Sequence, residues 1–155
     1  MRLTHLALAM LLAVPVVGCG DDDGTGPQTQ SAAGTYTLTS VTQGSSTCQV
    51  SGSATGCTIN NTGANTIVVR SGTLALQQAG TFSFTASGTQ NGTTQPFTPI
   101  AGSYTQTDTT VSFTIPTIPI PVSANFTNNN TLSFNLPGLI FNSTQTTIGA
   151  VFTKP

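Results

Sequence analysis

From Gly34 onward, apolar and polar side chains alternate in short runs. Thr35-Tyr36-Thr37-Leu38-Thr39 places Tyr36 and Leu38 on one side and threonines on the other. The same pattern returns in Thr73–Leu76, Thr81–Ala86, Ser103–Thr105, Val111–Ile115, Ala124–Phe126 and Leu132–Leu136. A period of two carried by β-branched and aromatic residues predicts strands, because successive side chains point to opposite faces of a pleated backbone. No stretch of residues 34–155 offers an apolar stripe at helical spacing, so the expected class is all-β. Gln78-Ala79-Gly80, Thr107-Asp108-Thr109 and Asn128-Asn129-Asn130 separate successive runs by only a few turn-forming residues. Consecutive hairpins give an antiparallel meander. Each strand has one apolar face, so those faces must meet inside a closed barrel or between the layers of a sandwich. Uncharged edge strands favour closure, since open sheets protect their edges with lysine or proline. Short strands with threonine outside fit a transmembrane barrel poorly.

Two stretches break the alternation. Ile115–Val122 carries three prolines among isoleucines, and Leu136-Pro-Gly-Leu-Ile-Phe141 clusters apolar residues around a Pro-Gly pair. Both are expected as wide connections at the ends of the domain. Packed on the core they are structural, and left exposed they would form a hydrophobic lid or partner-binding patch.

The first residues follow another pattern. Arg2 lies in Met1–His5, and Leu6–Val17 is apolar, interrupted by Pro15 and too short to span a bilayer as a helix. The run ends in Val16-Val17-Gly18-Cys19, followed by Asp21-Asp22-Asp23 and a Gly-, Ser-, Thr- and Gln-rich segment to Ala33. Val16–Cys19 resembles the bacterial lipobox. The resemblance implies diacylglyceryl attachment to the Cys19 thiol, cleavage before Cys19 and acylation of the new amino group. Residues 1–18 are then a lipoprotein signal peptide, 19–33 a lipidated terminus with a flexible linker, and 34–155 the β domain. The address so implied is the bacterial cell envelope, anchored to a membrane by lipid. The outer membrane is favoured, facing the periplasm or the surface, with the inner membrane as the alternative.

The order of runs carries a second resemblance. Gly34–Val41, Ser71–Leu76 with Gly80–Phe82, Gly102–Thr105 with Val111–Thr114, Asn130–Phe134 and Val151–Lys154 are together similar to bacterial lipocalin-like domains. That similarity covers nearly all of residues 34–155 and rests on strand and turn spacing. It implies an eight-stranded up-and-down barrel with space for a cavity, and it implies no catalytic residue. Many such domains follow the first strand with a Gly-x-x-Leu-Pro loop. Here Gln43–Cys48 and an insertion stand in its place.

Composition narrows the chemistry. Charged residues make up 5% of the chain and the net charge is -1, which gives nucleic acid no electrostatic foothold. Hydrophobic residues reach only 37%, and Thr, Ser, Asn, Gln and Gly supply the rest. With Cys19 assigned to lipid, Cys48 and Cys57 remain as an even pair for a disulfide in an oxidising compartment. Buried thiols or a two-ligand metal site are the rivals, and metal lacks the ligands to complete a tetrahedral set. Ionisable groups within 34–155, the cysteines and tyrosines aside, are Arg70, Asp108 and Lys154. With neither histidine nor glutamate there, no carboxylate pair, Ser-His-Asp triad or cation cage can be built, so no enzyme and no cofactor is expected. Candidate ligand-binding residues are Arg70, suited to a ligand carboxylate, with Tyr36 and Tyr104. Arg70 has a plainer alternative at a strand end, in solvent or against Asp108. Two functions are therefore expected. One is a lipid-anchored barrel that binds a small apolar ligand, and the other is a structural or interaction module that engages another envelope protein.

Overall fold

A computed structural model describes residues 30–62, 65–141, 143 and 147–155. The stretch expected to be a signal peptide, Cys19 and the residues of the expected linker up to 29 lie outside the described residues. Eleven described strands follow one another: β1 (Gly34–Gln43), β2 (Ser46–Gln49), β3 (Cys57–Thr62), β4 (Asn65–Leu76), β5 (Thr81–Gln90), β6 (Thr93–Pro96), β7 (Ile100–Thr107), β8 (Thr110–Ile115), β9 (Ile118–Asn128), β10 (Thr131–Pro137) and β11 (Thr147–Thr153). Among the described residues a single 3-10 turn, Gly138–Phe141, follows β10. Eight strands close an antiparallel barrel in the order β1-β11-β10-β9-β8-β7-β5-β4, and β4 returns to β1 through Thr73–Leu76 against Gly34–Thr37. The barrel, not the sandwich, is the way the apolar faces meet.

Alternation along each strand sorts the side chains. Tyr36, Leu38, Leu74, Leu76, Phe82, Phe84, Phe113, Leu132, Phe134 and Phe152 point inward and are buried. The outer face carries hydroxyls in cross-strand rows, as in Thr37–Thr73–Thr85, and Ser71 and Ser87 share a 2.7 Å hydrogen bond. Where the ladder gains a residue, the phase of the alternation flips. On β4 the register passes from Val69↔Gly88 to Ser71↔Ser87, leaving Arg70 as the extra residue of a β-bulge. Inward positions therefore change from Ile67 and Val69 to Gly72, Leu74 and Leu76. Thr39 plays the same part on β1, between the pairs Leu38↔Phe152 and Ser40↔Val151.

The proline-rich stretch differs from the expectation of a wide connection. Only Pro116 and Thr117 form the turn, and β9 already begins at Ile118. The register slips between Phe113↔Val122 and Ile115↔Ile118, which leaves Pro119 and Pro121 on an irregular part of the strand. An irregular ladder is where a residue without an N–H is tolerated. Ile118 and Val122 are buried, so much of the apolar content of this stretch serves the core. The Leu136–Phe141 segment does end a strand, and its Ile140 and Phe141 are buried as well.

Candidate functional site

A barrel of eight strands is just wide enough for its side chains to fill or for one small ligand, so the interior is the first place to look. Here phenylalanine rings occupy it. Phe82 meets Phe113 edge-on at 4.9 Å, Phe134 stacks on Phe152 at 5.2 Å, and Phe84 lies edge-on to Phe152 at 5.7 Å. The space left among Leu74, Phe84, Phe113, Leu136 and Ile140 is about 20 Å³. One water would occupy that volume, and the apolar lining gives it no hydrogen-bond partner. Small-molecule sites usually offer roughly 300–1,000 Å³.

Both ends of the barrel are closed. The lower end holds the turns at Gln78–Ala79, Asp108–Thr109 and Asn129–Asn130, together with the last residues of the chain. Gln30–Ala33, which the sequence pattern assigns to the linker, packs there. Ala32 is fully buried, its N–H donates to Gln106 Oε1 at 2.6 Å, and its carbonyl accepts from the Tyr36 hydroxyl at 2.8 Å. Lys154 Nζ donates to Ala33 O at 2.7 Å and lies 5.1 Å from the centre of the Tyr36 ring. Gln106 Nε2 also donates to Gln30 O, and Gln30 Nε2 donates to Asn129 O.

Burial pushes the Tyr36 phenol up to about 12, with a smaller contribution from the neighbouring Tyr104. Burial also raises Tyr104, whose hydroxyl donates to Gln77 O at 2.8 Å. Each tyrosine hydroxyl is thus bonded to a backbone carbonyl at the lower end.

At the upper end the 3-10 turn inserts Phe141 between Phe84, at 6.0 Å, and Phe97, at 5.6 Å. Strands β2 and β3 fill the gap where β1 and β4 diverge. Here β2 pairs with β1 over Ser40–Gln43, and β3 pairs with β4 over Asn65–Val69. A disulfide joins Cys48 of β2 to Cys57 of β3, with Cα atoms 5.6 Å apart. Between the cysteines, Val50 N–H donates to Thr39 O at 2.8 Å, and Gly56 takes φ +73°. A Cβ at Gly56 would sit 2.6 Å from Val69 O, so glycine allows the loop to approach β4 this closely. The exposed Arg70 bulge residue donates from Nη1 to Ala54 O at 2.9 Å. It therefore faces the disulfide loop at the upper end, while Asp108 belongs to a turn at the lower end. Arg70 is not brought together with Tyr36 or Tyr104.

Phe97 and Gln106 stand outside the stretches that the sequence marks, whereas Phe141 belongs to the apolar Leu136–Phe141 cluster and packs on the core. A lone phenylalanine between Pro96 and Pro99 was the available sign for Phe97, whereas Gln106 carries no mark of its role. On the outer wall, β9, β10 and β11 bound an open groove of about 1350 Å³ lined by uncharged groups such as Asn125, Ser133, Asn135 and Pro121. Among the described residues no three metal-ligating side chains gather, and no helix is long and apolar enough to cross a membrane. In comparisons with known proteins no family model matches the chain, and neither does any curated protein or solved structure.

Proposed function

We propose that this chain is a lipid-anchored protein of the bacterial cell envelope whose barrel acts as a structural or protein-interaction module, with no ligand housed inside it. The lipobox resemblance at Val16–Cys19 supports the anchor. The packed interior carries the rest: about 20 Å³ of apolar space cannot admit a ligand larger than a water. The uncharged outer surface then becomes the part that meets other molecules. A carrier for a small apolar ligand, implied by the lipocalin-like resemblance, would require the phenylalanine cluster to move apart. No enzymatic role is assigned, since the described domain offers one carboxylate, Asp108, and no histidine.

Two measurements test this reading. Cells expressing the full chain and fed an alkyne-bearing fatty acid should label the protein, and Cys19→Ser should abolish both label and membrane association. Intact chain extracted in mild detergent should bring no stoichiometric apolar compound into native mass spectrometry. Unlabelled protein would sink the anchor, and a retained one-to-one ligand would restore the carrier.

A further inference from the structure

The barrel ladder splits at two places, and both lie in its upper half. Direct pairing of β1 with β4 stops at Thr37↔Thr73. Direct pairing of β5 with β7 stops at Phe84↔Ile100. Above these points the upper halves of β4 and β5 stay paired to each other and gain β3 and β6 as outer neighbours. The result is a four-stranded flap, β3-β4-β5-β6, that continues from the barrel only through β4 and β5. Its inner side carries Ile59, Ile67, Val69 and Phe97, all buried.

The two sides of the flap are attached differently. On the β6 side the contact is apolar: Phe97 donates its N–H to Ala86 O within the flap and sets its ring against Phe141. On the β3 side, β2 and β3 are the two ends of the hydrogen-bonded path and do not pair with each other. The Cys48–Cys57 disulfide crosses that gap, helped by the Arg70 to Ala54 bond. Cys57 is 1% exposed, whereas Cys48 is partly exposed at the edge of the core, so Cys48 is the more approachable residue of the pair.

We propose that the Cys48–Cys57 disulfide is a redox latch that holds the β3-β4-β5-β6 flap shut over the upper end of the barrel. A dithiol reductant opens it in two displacements. One reductant thiolate attacks Cys48 Sγ, the Cys48–Cys57 bond breaks, and Cys57 leaves as a thiolate that takes a proton. The second reductant thiolate then attacks the reductant sulfur of the mixed disulfide and releases Cys48. The net change is two cysteine thiols and one oxidised, cyclic reductant. The cross-link spans a sequence separation of only nine residues, so its loss frees a short loop, and the flap without this tie opens by local unfolding while the β7–β11 ladder stays paired. The Phe82, Phe113, Phe134 and Phe152 cluster stays held by β8, β10, β11 and the lower part of β5 that pairs with β7, which makes opening local to the flap.

Hydrogen exchange on the full chain, oxidised and after a water-soluble dithiol without denaturant, tests the latch. Residues 57–70 and 85–97 should exchange at least ~10-fold faster on reduction, while 110–136 and 147–153 keep their protection. A dye that fluoresces on apolar surface should brighten at the same time. The double variant Cys48→Ala/Cys57→Ala should reproduce the open pattern with no reductant present. Unchanged protection after both cysteines alkylate would make the disulfide a static cross-link. Uniform loss across all strands would make it a global staple. Failure of the dithiol to reduce the native protein would remove the switch altogether.

Discussion

The two ends of this barrel are closed by different means. At the lower end each neighbouring pair of barrel strands is hydrogen-bonded, so the remaining opening is narrow and has no seam. The chain itself covers it: Gln30–Ala33 lies across the mouth, accepts hydrogen bonds from Tyr36, Gln106 and Lys154, and donates one from Ala32 N–H to Gln106. At the upper end the ladder diverges at two seams, and extra strands, a 3-10 turn, two phenylalanines and a disulfide are recruited to fill the space. A narrow gap can be satisfied by a few polar groups near in space. A wide one exposes apolar core, which only added apolar volume can cover.

That contrast can be broken from either side. The largest effect is expected from Phe141→Ala, which removes a buried ring between Phe84 and Phe97 and should cost about 3–5 kcal/mol in a denaturant titration. Removing the covalent closure with Cys48→Ala/Cys57→Ala should cost about 2–4 kcal/mol in the chain-entropy account, read by the same titration. Gly88→Ala sharpens the picture of the flap. Its Cβ would lie 2.0 Å from Val68 O, and forcing β4 and β5 apart should cost roughly 1–3 kcal/mol, read as a lowered thermal midpoint.

The lower end should respond more weakly. Tyr36→Phe deletes one buried hydrogen bond, which is worth about 0.5–1.5 kcal/mol, and proteolysis near Gln30 should become faster while the flap is unaffected. The same phenol makes this end sensitive to alkali. It ionises at about 12 in the folded chain against an ordinary 10.0, so between those values the unfolded state has lost a proton that the folded state keeps. Its stabilising contribution is complete below pH 10 and falls as the pH rises through 12. A denaturation midpoint that declines less steeply over that range in Tyr36→Phe than in the parent is the expected outcome. Least of all is expected from Arg70→Gln, whose exposed guanidinium should alter exchange in the Cys48–Cys57 loop without moving the midpoint.

Much of the fold is legible in the alternation, because a period of two assigns each side chain to one face of a sheet. Tyr36, Leu38, Phe82, Phe84, Leu132 and Phe134 are read as one inward set and are buried together. The pattern fails where the backbone gains a residue. Across the Arg70 bulge the inward phase shifts, so the upper half of β4 does not read as a continuation of Thr73–Leu76. Short strands β2 and β6 are exposed on most or all of their positions and leave no alternation to detect. The Cys48–Cys57 pair was accessible by elimination, since two cysteines remained once Cys19 was set aside, and the structure joins them.

The candidate ligand residues show the limit most clearly. Residue type alone suggests that Arg70, Tyr36 and Tyr104 are chemistry-bearing groups, yet it cannot say which face or which end each will occupy. Tertiary structure places Arg70 on a bulge beside the disulfide loop, and ties each tyrosine hydroxyl to a backbone carbonyl at the opposite end. By itself the sequence determined an all-β chain with an apolar interior, a hydroxyl-covered exterior and very little charge, because those properties follow from side-chain type and local period. Whether the interior held a cavity was decided only in three dimensions. It depends on how the phenylalanine rings from separate strands meet, and that is fixed by register and closure.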